Sequence, residues 1–208
     1  DIIIPSTSTD PVVSGSVSAR SLTIQSGGEL TVSGSGSLAL SGDVTISGTM
    51  NYTSSGSITL SKNGGTLSGT GSQTGADYVL SNGSSFDLSD SWSIDNMDVN
   101  SGAVLTVATT KTLTTGTNLT NGGTLTCSGS AGLTVGGDVS LSGTTVMNSG
   151  TLDTDGDFGN SGTFTAGTST LKLSGSSSQS ITNTNMVATI TTATASTDAI
   201  SETFESGL

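Results

Sequence analysis

Apolar–polar–apolar triplets recur along almost the whole chain, and their spacing is the strongest constraint on its fold. Leu22-Thr23-Ile24, Leu30-Thr31-Val32, Leu38-Ala39-Leu40, Val44-Thr45-Ile46, Met50-Asn51-Tyr52 and Ile58-Thr59-Leu60 follow one another with three to five turn residues between them. Alternation sends the outer two side chains of a triplet to one face and the middle one to the other, so each triplet is a short strand. Separators such as Gln25-Ser26-Gly27-Gly28-Glu29 and Ser33-Gly34-Ser35-Gly36-Ser37 are turn chemistry.

Triplets three apart match, and the interval between them gives the period. Leu22 precedes Val44 by 22 positions, while Leu30 to Met50 and Leu38 to Ile58 are each 20. Further on, Met97 to Leu119 spans 22, and Leu105 to Leu125, Leu113 to Leu133 and Leu119 to Val139 span 20. Leu133 to Leu152 and Leu152 to Leu171 span 19. Three short strands per ~20 residues describe one turn of a solenoid, whereas a β-sandwich would need longer strands. The expected fold is all-β: a right-handed parallel β-helix, three-faced, in one domain over residues 1–208. The hand follows from the near-universal preference of parallel crossovers.

Between Lys62 and Asn96 the triplets lose strict register, and a widened coil or protruding loop is expected there. Ser41–Thr49 resembles Gly136–Thr144, 95 positions later, which suggests equivalent corners five turns apart, with a degraded third copy at Gly156–Thr163. Corners of the form Asn-x-Gly-Thr at Asn121, Asn148 and Asn160 suggest glycines held at positive φ.

Composition narrows function by exclusion. Four cations against 16 acids, net charge −12, argue against a nucleic-acid partner. With no histidine and one cysteine, histidine-dependent catalysis and ordinary zinc sites are ruled out. No apolar run reaches the ~20 residues that span a bilayer. Cys127 cannot form an intrachain disulfide, and its place at the inward end of Leu125-Thr126-Cys127 reads as a small buried hydrophobe. A carbohydrate-active β-helix enzyme is the weakest reading, because no acid–base pair converges and only Trp92, Tyr52 and Tyr78 could stack on a sugar.

The opening Asp1-Ile2-Ile3-Ile4-Pro5, then Ser21-Leu22-Thr23-Ile24 with Gly28-Glu29-Leu30-Thr31-Val32, resembles the β-solenoid repeats of bacterial surface proteins. Gly175-Ser176-Ser177-Ser178-Gln179-Ser180-Ile181 is similar to a "GsgsQtI" step of the same repeats. The resemblance implies an extracellular or cell-surface structural element, the shaft of an adhesin or the subunit of a filament.

Three groups of residues are candidates for more. Asp138 and Asp157, one period apart, with Asp155, could hold a calcium ion; Asp87, Asp90, Asp95 and Asp98 form a looser acidic set. Outward Thr124, Thr126, Thr144, Thr163 and Thr165 could form a flat array suited to binding ice, with Thr145 among them. No amphipathic helix caps either end, so Ile2, Ile3 and Ile4 at one end and Phe204 and Leu208 at the other could join copies head to tail, unless flanking domains cover them.

Overall fold

The computed structural model of the protein describes residues 1–6, 10–183, 186–187 and 201–204. Every regular element among them is a strand of two to four residues, and every pairing between strands is parallel. Nine coils of three strands stack along one axis, covering residues 2–19, 22–40, 44–60, 65–80, 85–99, 104–121, 124–141, 144–160 and 163–183. The chain is a parallel β-solenoid, as its period predicts.

Each coil contributes one strand to each of three faces. In the third coil, Val44–Ile46 lies on the first face, Thr49–Tyr52 on the second and Ile58–Leu60 on the third. All nine spacings read from the sequence are register pairs. Leu22 lies opposite Val44, Met97 opposite Leu119, and Leu133 opposite Leu152, which is itself opposite Leu171. Within a triplet the outer residues are buried and the middle one is not. Leu22, Ile24, Leu30, Val32, Leu38 and Leu40 of the second coil are each at most 1% exposed. Burying such a side chain is worth about 1.5–3 kcal/mol, and here each also covers the equivalent side chain of the coil above.

Residues 62–96 show how register is kept when the sequence stops advertising it. They form strands of the fourth and fifth coils, not a protruding loop. The coil is nonetheless widened: Val44 pairs with Leu67, 23 positions on, while Leu67 pairs with Leu88 after 21. The first-face strand Gly65–Ser68 has slipped along its neighbour by one pleat. Gly65 now leads to the inward column of Phe86, Leu105 and Leu125. A slip of two residues keeps every side chain on its own side of the sheet, whereas a slip of one would turn the column inside out. The Phe86 ring lies where a side chain on Gly65 would sit, with its edge 2.2 Å from the Cβ position of that glycine.

The same coil interrupts the second face. Its ladder runs from Val12–Val13 through Glu29–Val32 and Thr49–Tyr52 to Ser72–Thr74, then stops, and a new ladder starts at Trp92–Ile94. The Trp92 indole spans the step, its Nε1 donating to the Gly69 carbonyl at 3.0 Å. The first and third faces continue past this point without a break.

Two expectations about corners are corrected. Ser41–Thr49 turns from the first face to the second, but Gly136–Thr144 turns from the third face to the first, so the two segments are not equivalent. Nor are the glycines of the Asn-x-Gly-Thr corners at positive φ, which is found instead at Gly27, Gly34, Gly64, Gly69, Gly75, Gly83, Gly102, Gly129 and Gly167. The corner glycines serve close approach. A Cβ on Gly143 would lie 2.1 Å from the Gly123 carbonyl oxygen, and one on Gly162 would lie 2.0 Å from that of Gly143. Those carbonyls accept the amides of Thr144 and Thr163, so stacking at the van der Waals limit and backbone pairing are one feature.

Candidate functional site

Polar side chains at the corners do the work that extra backbone pairing would otherwise do. At the turn from the second face to the third, a column of Asx residues occupies four successive coils and reaches the main chain of a fifth. Asn96 Oδ1 accepts the Asn118 amide at 3.1 Å, Asn118 Oδ1 accepts the Asp138 amide at 2.9 Å, and Asp138 Oδ1 accepts the Asp157 amide at 2.8 Å. Asp157 Oδ1 in turn accepts the Ser180 amide at 2.7 Å. Each side chain thus caps a main-chain donor of the following coil, and Asn and Asp fit because both offer a short carbonyl oxygen. This arrangement gives the stacked carboxylates of Asp138 and Asp157 a structural occupation. Asp155 lies beside them in the corner and accepts a hydrogen bond from Ser174 Oγ at 2.9 Å. Among the described residues no three acidic or sulfur groups converge on one point.

The looser acidic set is dispersed. Asp87 stands outward on the first face, Asp98 outward on the third, and Asp90 and Asp95 occupy two different corners. Asp90 accepts the Gly69 amide at 2.8 Å, and that bond together with Lys111 holds its carboxyl below the usual carboxylate range.

All four cations of the chain meet an aspartate of the preceding coil, a pattern missed in the sequence. Lys62 reaches Asp43 at 2.7 Å, Lys172 reaches Asp153 at 2.6 Å, Lys111 reaches Asp90 at 3.4 Å and Arg20 reaches Asp1 at 3.4 Å. The signal was present: each basic residue follows its aspartate by 19 to 21 positions, one turn of the solenoid. The Lys62 ammonium also lowers the pKa of the Asp43 carboxyl. Exposed pairs of this kind contribute little individually, ~0.2–1 kcal/mol.

The five candidate threonines share the first face and fall into two columns. Thr124, Thr144 and Thr163 are in register, as are Thr126, Val146 and Thr165. Val104 and Thr106 extend both columns one coil upward. Eight outward positions in four successive coils therefore carry only Thr or Val, without charge, on a strongly acidic protein. Thr145 does not belong to the array. It points inward, fully buried, and its Oγ1 accepts a hydrogen bond from Asn121 Nδ2 at 2.9 Å.

The three N-terminal isoleucines divide the same way. Ile2 and Ile4 continue the inward columns above Leu22 and Ile24, while Ile3 is outward and 62% exposed. Ile2–Ile4, Val12–Val13 and Ser16–Ala19 are the terminal strands of their sheets. The side chain of Phe204, and Leu208 altogether, lie outside the described residues. Cys127 is fully buried, and desolvation pushes its thiol up to about 12, so it stays protonated at neutral pH. One open groove, lined by Ser18, Ala19, Arg20, Ala39, Ser41 and Ser61, brings together no acid–base pair. No helix among the described residues is long and apolar enough to cross a membrane.

These features define a class: a parallel β-solenoid repeat protein whose polar side chains chiefly tie coil to coil. No protein-family model matches the chain, and no curated protein or solved structure is significantly similar to it.

Proposed function

We propose that the chain is a length of structural shaft, an extracellular rod of the kind that carries an adhesin or builds a surface filament. The observation that supports this most is the backbone pairing, which runs through all nine coils on two faces. Each coil is further pinned to the next by corner side chains and inter-coil ion pairs. Force along such a rod is shared among parallel ladders, and the net charge of −12 keeps neighbouring rods apart in solution. Among the described residues the strands of the first coil are the last of their sheets, and with Ile3 and Val12 exposed beside them they are where a further coil would stack. In a filament that coil belongs to a second copy.

Electron microscopy of the purified chain tests both parts. Nine coils at ~4.8 Å predict particles about 45 Å long. Globular or shapeless particles would overturn the shaft reading. Fibres that lengthen with concentration, and that are lost in Ile3→Lys/Val12→Lys, support stacking. Rods that stay dispersed at every concentration refute stacking and leave the shaft.

The uncharged Thr/Val array favours a second reading, an ice-binding solenoid. Its threonines stand on a rigid sheet at strand spacing and present methyl and hydroxyl groups in rows. Thermal hysteresis that disappears in Thr126→Tyr, with the fold intact, would support it. A freezing point equal to that of a control of the same osmolality would end it.

A further inference from the structure

Three Asn-Gly steps occur among the described residues, at Asn63-Gly64, Asn82-Gly83 and Asn121-Gly122, and the fold treats each differently. This step is chemically special: glycine hinders least the attack of its own amide nitrogen on the preceding side-chain carbonyl. Asn121 is closed to that reaction. Its side chain is fully buried, its Nδ2 donates to the Thr144 carbonyl and to Thr145 Oγ1, and the Gly122 amide is held by the Val99 carbonyl at 2.8 Å. Asn82 is exposed, but the Gly83 amide donates to the Gly102 carbonyl at 3.1 Å. A carbonyl can accept that proton's hydrogen bond yet has no proton of its own to hand on.

Asn63-Gly64 is built otherwise. Both residues are exposed in the turn that feeds the widened fourth coil. Gly64 sits at φ +70° with open space at its Cβ position, as Gly83 does at φ +77°, so what sets Gly64 apart is the partner of its amide. The Gly64 amide donates to Ser85 Oγ at 2.7 Å, and the same hydroxyl donates to Asn63 Oδ1 at 2.7 Å. One oxygen, supplied by the next coil, therefore touches both the nucleophile's proton and the electrophile's carbonyl oxygen.

We propose that Asn63-Gly64 is a self-modification site at which Ser85 serves as proton relay for succinimide formation. The Gly64 nitrogen bonds to Asn63 Cγ. Its proton passes to Ser85 Oγ while the proton of Ser85 passes to Oδ1. The tetrahedral adduct then returns that proton to Nδ2, the Cγ–Nδ2 bond breaks, and ammonia leaves. Water opens the five-membered ring at either carbonyl to give aspartate or isoaspartate. The product adds one negative charge next to Lys62, and the iso form adds one methylene to the main chain between Ile58–Leu60 and Gly65–Ser68. This chemistry is independent of whether the rod is a shaft.

Incubation of the intact protein at mildly alkaline pH, followed by peptide mapping with mass spectrometry, tests the proposal. Well-placed general acid–base groups in enzymes give about 10²–10⁴-fold, and one exposed hydroxyl is expected to give about tenfold. Position 63 should convert about tenfold faster than position 82, with position 121 unconverted. Ser85→Ala should bring position 63 down to the rate of position 82, and Ser85→Thr should restore it. Circular dichroism of each variant, and a urea-unfolded control in which the three sites react alike, separate the relay from a loss of fold. A Ser85→Ala protein that is folded and converts as fast or faster overturns the relay. A position 63 slower than position 82 overturns the site.

Discussion

Gly143→Val is expected to be among the most damaging single substitutions in the solenoid, costing about 3 kcal/mol or more. The Cβ position lies 2.1 Å from the Gly123 oxygen and 2.6 Å from the Gly122 carbonyl carbon, so the obstacle is main chain on both counts. Relief requires the seventh and eighth coils to separate at that corner. Separation breaks the hydrogen bond from the Thr144 amide to Gly123, 2.8 Å long in the native protein. Gly159 supplies the control. It faces outward on the third face, and the nearest atom to its Cβ position is the Val139 oxygen at 3.7 Å. Gly159→Thr should leave stability unchanged or raise it slightly, since a β-branched residue suits an outward strand position. Urea unfolding of the two variants gives the comparison. If Gly143→Val unfolds at the wild-type midpoint, close stacking is not what fixes the corner glycines.

That contrast shows which parts of the fold are legible in the sequence. The column pairs Leu22–Val44, Leu105–Leu125 and Leu152–Leu171 could be read because an inward position every ~20 residues must be apolar, and a period survives noise in any one coil. Gly65 and Gln73 break that rule. Each occupies an inward position without an aliphatic side chain, the first because Phe86 fills its space and the second because it bonds to Tyr78. Their coil therefore looked irregular while being wound like the rest. The false equivalence of Ser41–Thr49 and Gly136–Thr144 has a related cause. Gly48 meets the Gly28 oxygen at 2.2 Å much as Gly143 meets that of Gly123. Two different corners stack this closely and both carry Ser-Gly-Thr, so the motif reports the contact and not which of three corners it occupies.

The polar contacts were legible in principle and overlooked in practice. Asp43 and Lys62, or Asp153 and Lys172, are distant along the chain and adjacent only once the period is used to wrap it. The Thr array could be seen in part, because Thr124-Leu125-Thr126 and Thr163-Phe164-Thr165 carry the alternation openly. Thr144-Thr145 hides it, since two adjacent threonines cannot both face out of a strand, and only the partner in the core, Asn121, decides which one turns in.

The polar knot under the interrupted face yields the second large effect, which shows in a double-mutant cycle. Tyr78 is fully buried, its hydroxyl donates to Gln73 Oε1 at 2.6 Å, and its ring packs against Trp92 with centroids 5.5 Å apart. Gln73 Nε2 is buried with no hydrogen-bonding partner. Tyr78→Phe strands the remaining amide oxygen, and Gln73→Leu strands the phenol, so each single variant should lose about 1–3 kcal/mol. The double variant leaves no polar atom behind and also removes the unpartnered Nε2, so it should equal or exceed the wild type. Coupling of about 2 kcal/mol or more follows between two residues in direct contact. Alkali provides an independent readout. Burial raises the pKa of the Tyr78 phenol, so the stability it contributes is complete below the unfolded-state value of about 10 and declines as pH rises beyond it. Variants carrying Tyr78→Phe should lose less stability across that range than wild type. Strictly additive single and double variants, with identical alkaline profiles, would mean that the hydroxyl–amide pair has no part in stabilising the fourth coil.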